Sequence, residues 1–352
     1  MTTVAPSPTR TEVPTTMRAA VVTTTGEPLT ISEVPVPTPG PHEALVRVIT
    51  SGVCHTDLHA ARGDWPVAPK DQIIPGHEGY GEVVAIGDRV TTLEVGQKVG
   101  NAWLWSACGV CEYCRTGWET LCPEQQNGGY SVDGSFGEYM LVDERYAARI
   151  PDGADPVEVA PILCAGVTVY KGLKMTGVRP GQWVVVSGIG GLGHIAVQYA
   201  RAMGMRVVAV DVDDSKLALA RTHGAEVTVN AATHEPGEAV QAATGGAHGV
   251  LVTAVHPKAF DQALGVVRRG ATIVFNGLPP GTFDADIFDI VLRAITIRGS
   301  IVGTRQDLAD ALDFYARGEI HPTVHVETLE DVNDVFERME RGKIDGRIVM
   351  QF

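Results

Sequence analysis

Trp183-Val184-Val185-Val186-Ser187-Gly188-Ile189-Gly190-Gly191-Leu192-Gly193-His194 is the stretch that decides the fold of this chain. A short β-branched run stops at a Gly-x-Gly-x-x-Gly turn, and a helical pattern from His194 to Met203 starts directly after it. Strand, glycine turn and helix in that order open a dinucleotide-binding unit, whereas the same glycines alone would be weak evidence. Gly188, Gly190 and Gly193, with Gly191 and Leu192 between them, permit a tight turn. They let a pyrophosphate reach backbone amides at a helix N-terminus, where the macrodipole favours negative charge. Asp211 ends the next strand, 23 residues after Gly188, where a carboxylate accepts hydrogen bonds from ribose hydroxyls. It also repels a 2′-phosphate, and no Arg follows at once, so NAD is expected over NADP.

Working outward, Trp183 to Ser187, Val207 to Val210, Val227 to Asn230, Gly249 to Thr253 and Ala271 to Asn276 read as buried strands. Helical stretches such as His194 to Met203 and Ser215 to His223 follow them, which predicts an α/β, doubly wound parallel sheet covered on both faces. Before Pro161 the texture differs. Arg18 to Thr23, Glu43 to Thr50, Gly81 to Ile86, Lys98 to Val99 and Tyr139 to Val142 are short runs punctuated by Gly and Pro, the pattern of a β-rich domain. The last fifty residues read as a helix, Gln306 to Ala316, a strand, and a second helix, Leu329 to Arg341, expected to rejoin that first domain. At 352 residues the chain exceeds the size at which one core keeps growing. The expected division is a tail at 1–16, a β-rich domain at 17–165 and 303–352, and a nucleotide-binding domain at 166–302.

All six cysteines have zinc-ligand spacing. Cys108, Cys111, Cys114 and Cys122 form Cys-x-x-Cys-x-x-Cys followed by a fourth inside one turn-rich stretch, as a closed structural zinc site requires. Cys54 and Cys164 frame Gly76-His77-Glu78, and three ligands with an open position are the pattern of catalytic zinc. Disulfides are the competing reading, disfavoured because the first sixteen residues, rich in Thr, Pro and Ser, have no signal-peptide core. A reducing, cytoplasmic setting is expected. A formal net charge of −14 disfavours nucleic acid and anionic lipid, and no segment has the unbroken apolar length of a membrane span.

These motifs, with Cys54-His55-Thr56-Asp57-Leu58-His59 and Gly76-His77-Glu78-Gly79, resemble the zinc-dependent alcohol dehydrogenases of the medium-chain family, in their yeast-like and bacterial propanol-preferring branch. The likeness runs from about Met17 to the C-terminus. It implies a GroES-like β-rich catalytic domain plus a Rossmann doubly wound parallel sheet, two zinc ions per subunit, NAD, an alcohol or aldehyde substrate and a homotetramer. Cys54, His77 and Cys164 would hold the catalytic zinc, with Glu78 as an alternative ligand and Asp57 orienting the metal-bound histidine. For Asp57 a plain salt bridge remains the alternative.

By the same resemblance Thr56 contacts the alcohol oxygen, and His55, Thr168, Lys216 and Arg347 contact the cofactor. Trp65, Trp103 and Leu278 would line the substrate pocket, where two indoles favour short primary alcohols. Many relatives are expected to end the proton relay on a histidine where this chain has Arg62. A guanidinium stays protonated, so Arg62 is expected instead to supply charge near the cofactor phosphates, with His59 as another candidate relay. Competing functions are a zinc reductase of bulkier aldehydes or ketones and a zinc- and nucleotide-binding protein without turnover.

Overall fold

A computed structural model describes residues 13–352. Its two large sheets are joined around Cys164: the turn Ala160–Leu163 before it packs on the first sheet and the helix Ala165–Thr176 after it packs on the second. The first sheet is built on the long strand Glu43–Val53, which pairs with Gly79–Ile86 on one side and with Tyr139–Asp143 and Arg347–Gln351 along the other. Lys98–Asn101, Ala148–Arg149 and Val324–Glu327 complete its seven strands. Alternation along Glu43–Val53 sends Ala44, Val46 and Val48 into one buried cluster and Leu45 and Val53 into another.

The second sheet has six parallel strands in the order Val227–Asn230, Arg206–Asp211, Trp183–Ser187, Ala247–Val252, Val267–Phe275 and Thr296–Gly299. This is the doubly wound order, with the first strand central and the chain reversing direction beside it. Val184, Val185 and Val186 are all fully buried because helices cover both faces. Gly193 shows why the glycine turn is needed: a Cβ there would lie 1.8 Å from the Gly188 carbonyl oxygen, so only glycine lets the helix Gly193–Ala202 start so close to the strand.

The C-terminal segment adds two strands to the first sheet, Val324–Glu327 and Arg347–Gln351, where the sequence reading expected one strand. Arg347–Gln351 escaped sequence reading because five residues at a chain end carry no turn signal. Thr30–Pro35 escaped because Ser32, Glu33 and Pro35 dilute its apolar pattern, yet it pairs with Thr16–Val21 over its whole length. Thr296–Gly299 is an edge strand with none of its residues buried. Of the expected tail, residues 1–12 lie outside those described. Residues 13–16 do not behave as a tail: Val13 packs on the core, and Thr16 begins the first strand.

The returning helix Arg305–Ala316 packs on Ala165–Thr176 through a buried carboxylate. Asp307 accepts from Lys171 and Lys174 at 2.8 Å each and caps the helix by bonding Thr304. Burial pushes its carboxyl upward, but the two lysines and Thr304 outweigh that and hold it at about 2. Asp307 is the buried member of this cluster, and a buried charge left without its partner costs about 3–5 kcal/mol, so the lysines hold the two helices together.

Candidate active site

Cys54 and Cys164 each occupy the residue before a helix, His55–Arg62 and Ala165–Thr176 respectively. A thiolate gains there from the positive end of the helix dipole. His77 and Glu78 precede the strand Gly79–Ile86, and the turn brings them to the same point. The four residues are buried, and one ligand atom from each lies within 4.8 Å of all the others. The two sequence-distant cysteines and the Gly-His-Glu therefore converge.

Asp57 organises the cluster. One carboxylate oxygen accepts from the Cys54 N–H at 2.9 Å; the other accepts from the Gly76 N–H at 3.0 Å and contacts His77 Nδ1 at 2.9 Å. Nδ1 thus carries a proton toward Asp57, which leaves Nε2 as the donor atom, and Nε2 is buried without a hydrogen-bond partner. Burial opposes protonation of the His77 ring, but the charge and hydrogen bond of Asp57 exceed it and hold its pKa well above the ordinary value. Cys54 is pulled well below a free thiol because Cys164 donates its S–H to it. An orphaned buried nitrogen facing two thiols and a carboxylate suits a soft divalent cation such as zinc.

Glu78 is fully buried, and burial pushes its carboxyl up to about 7 although Arg347 opposes this. One oxygen is ion-paired with Arg347 and the other has no partner. Gly52 makes room for it: a Cβ there would sit 1.9 Å from Glu78 Oε2. Arg347, 5% exposed, also approaches the glycine turn, since a Cβ at Gly191 would be 3.2 Å from its guanidinium. Arg347, from which a cofactor contact is expected, thus lies beside the glycine turn and forms an ion pair that the sequence did not foretell.

Thr56 Oγ1 lies 3.8 Å from Cys54 Sγ, at the edge of the cluster. Thr168 is buried one turn into the helix after Cys164. His55 is exposed by area, yet the surrounding walls desolvate it and lower its imidazole pKa, the behaviour of a side chain in a cleft. Asp211 accepts from the Ile189 N–H at 2.6 Å, so the ribose-side carboxylate is tied to the glycine turn itself. Lys216 stands nearby in the first turn of Asp214–Thr222.

Trp103 meets the His77 ring edge-on at 5.4 Å and Trp65 at 6.1 Å. Tyr130 fills the corner, 5.6 Å from Trp65 and 5.5 Å from Trp103, and no sequence signal singled it out. Val302 packs on the same cluster in a left-handed conformation, φ 38°, which is strained for a β-branched residue. Leu278 is not part of this group. It is 64% exposed and lines a separate cavity of about 500 Å³ whose walls include neither tryptophan of the pair and none of the four metal donors. Arg62 also departs from expectation: its guanidinium is engaged by Glu340 on the helix Val332–Glu340, which removes the ground for assigning it to cofactor phosphates. His59 stacks on Trp65 and contacts Asp64 at 2.8 Å.

The second cluster, Cys108, Cys111, Cys114 and Cys122, also has its four sulfur atoms within 4.8 Å of one another. Backbone N–H groups of Val110 and Cys111 bring the Cys108 thiol down to about 7. Glu119 within this lobe binds Arg305 through both carboxylate oxygens, at 2.8 to 3.1 Å, and so ties the lobe to the returning helix. Four thiols, with no His, Asp or Glu joining the group among the described residues, describe a closed site.

Residues 40–152 match the alcohol dehydrogenase GroES-like domain, and residues 191–317 match the zinc-binding dehydrogenase domain. An alcohol dehydrogenase of Moraxella sp. (strain TAE123) is 61% identical over 96% of this chain and 99% of its own length. The chain belongs to the zinc-binding alcohol dehydrogenase family. A Geobacillus stearothermophilus alcohol dehydrogenase is 55% identical over 95% of this chain and 99% of its own. Among solved structures, the acetophenone reductase of Geotrichum candidum in complex with NAD superposes with a TM-score of 0.86 at 32% identity, covering 97% of this chain and 99% of that one. The alcohol dehydrogenase of Aeropyrum pernix gives 0.88 at 31% identity, with 95% and 100% covered. Zinc and NAD(H) are the cofactors of this family member, and both cysteine clusters fit the metal.

Cys111→Ser tests the division of labour between the clusters. Zinc per chain should fall from about two to about one, and the melting temperature should drop before turnover does, because a closed site contributes folding energy. Lost turnover at an unchanged melting temperature would contradict the structural assignment.

Proposed function

We propose that this chain interconverts short primary alcohols and aldehydes with NAD(H). The observation that carries the reading is the buried Cys54, His77, Glu78 and Cys164 cluster, with a hydroxyl at its edge and the Trp103 indole, itself backed by Trp65, against its histidine. Bound zinc supplies Lewis acidity that eases removal of the alcohol's hydroxyl proton, and NAD accepts the hydride.

In this reading Cys54, His77 and Cys164 are the metal ligands, with Glu78 in reserve. Asp57 acts through His77: it keeps the proton on Nδ1 and the ring fixed, so Nε2 stays available as a donor. Thr56 can accept the proton of the alcohol and donate its own outward, because a hydroxyl is donor and acceptor at once. Trp65, Trp103 and Tyr130 exclude water and bulk around the reacting carbon. The turn from Gly188 to Gly193 would hold the pyrophosphate, Asp211 and Lys216 the adenosine ribose, and Thr168 and His55 the nicotinamide and phosphate ends. We assign catalysis to 17–165 with 303–352 and cofactor binding to 166–302.

A second reading, reduction of bulkier ketones, is favoured by the likeness to an acetophenone reductase. The initial rate of NADH formation with 1-propanol and 2-propanol side by side separates the two. A clearly higher rate with 1-propanol is expected, and a higher rate with 2-propanol would overturn the small-pocket reading.

We further propose a homotetramer in the cytoplasm. Six free thiols in metal-binding sets suit a reducing compartment. No single helix among the described residues is long and apolar enough to cross a membrane. Self-association is supported by the helix Ile287–Arg293, which buries nothing and exposes Ile287, Phe288 and Val291 by 69% or more, next to the open edge strand Thr296–Gly299. Light scattering should return about four times the chain mass of 37.4 kDa, and a monomer mass would refute the assembly.

A further inference from the structure

The helix Gly193–Ala202 carries two buried polar side chains one turn apart, His194 and Gln198, that the reading above leaves without a task. His194 Nδ1 lies 3.0 Å from the Gly190 carbonyl oxygen, and its Nε2 lies 3.1 Å from the backbone nitrogen of Thr323. A backbone N–H can only donate, so Nε2 is the acceptor. In the neutral ring the proton then sits on Nδ1 and is donated to Gly190. Burial, reinforced by His223 and Arg347, holds the imidazole pKa at about 4 against the Gly190 bond, which keeps the ring neutral at working pH.

Gln198 continues the seam. Its Oε1 accepts from the His321 N–H at 2.7 Å, and its amide donates to the His321 carbonyl at 3.0 Å. The Thr323 carbonyl in turn accepts from the Arg347 N–H at 2.8 Å. A continuous line of bonds therefore runs from the glycine turn through His194 and Thr323 to Arg347, whose side chain pairs with Glu78 beside the metal donors.

We propose that His194 is a positioning residue for the dinucleotide, setting the Gly190 peptide within the phosphate-binding turn and locking that turn to the strand that carries Arg347. The inference rests on reading Gly188 to Gly193 as the pyrophosphate site. In a planar trans peptide the Gly190 carbonyl and the Gly191 N–H point in opposite directions. Drawing the carbonyl toward His194 keeps its negative end away from a bound phosphate and turns the Gly191 amide the other way. With the seam intact the subsite is preformed across both sheets, so binding the cofactor need not order it.

The test is fluorescence titration of NADH, with steady-state rates, on the wild type, His194→Ala and His194→Asn. The alanine variant loses two net hydrogen bonds, so Kd for NADH and KM for NAD should rise about tenfold, while kcat at saturating NAD is not lowered. Asn can still donate to the Gly190 carbonyl and should recover part of the loss. Unchanged Kd and KM in His194→Ala, or a loss carried by kcat alone, would overturn the proposal. Should the alanine variant not fold, His194→Gln, whose longer amide reaches toward Thr323 instead of Gly190, decides on the same readout. Wild-type protein that fails to bind NADH would remove the reading of the turn itself, whereas tight wild-type binding with unaltered variants removes only the role of His194.

Discussion

The buried carboxylate of Asp57 is the constraint from which the metal site follows. It is fully inaccessible, and its two oxygens hold three groups from two segments of the chain: the Cys54 amide, and the Gly76 amide with the adjacent His77 ring. An ionised group in that position would cost several kcal/mol without partners, and here every partner belongs to a metal ligand or its neighbour. One residue thus fixes where Cys54 starts its helix, where the Gly76 turn ends, and which nitrogen of His77 is free. Loss of a partner of this kind typically costs about 10- to 100-fold in metal affinity or activity.

From this centre the structure couples the Cys54, His77, Glu78 and Cys164 cluster to the glycine turn through Arg347. Its guanidinium meets Glu78 on one side and passes close to Gly191 on the other, while its backbone is bonded to Thr323 and through it to His194. A buried arginine paired with a buried glutamate is costly to assemble and is tolerated only where geometry is set from several directions. Here those directions are the two sheets. The ties of Asp307 to Lys171 and Lys174 and of Glu119 to Arg305 hold the same junction from its far side.

Much of this was legible in the residues. The glycine turn after three valines, and the strand–helix alternation that follows, specify a parallel sheet because buried strands and amphipathic helices have different periods. Cysteine spacing foretold the closed cluster directly, while Cys54, His77 and Cys164, which no fixed spacing links, read as an open site only in the company of that cluster and were strengthened by the family resemblance. What stayed hidden depends on long-range packing. Tyr130 reaches the indoles through a turn that has no periodicity, Arg62 finds Glu340 across 278 positions, and the Glu78–Arg347 pair spans 269. Leu278 was misplaced because the family's local pattern identifies a loop, whereas the loop's path decides which cavity it lines.

If Cys54, His77 and Cys164 carry the chemistry, loss of the metal they hold should abolish turnover while the glycine turn, although linked to them through Arg347, goes on binding NADH. Zinc content, NADH binding and the rate of 1-propanol oxidation measured together on His77→Ala test it most directly. The account predicts about one zinc per chain, retained NADH binding and turnover lost to the detection limit. A variant that keeps both metal ions, or that oxidises the alcohol with only the four-cysteine site loaded, would contradict it.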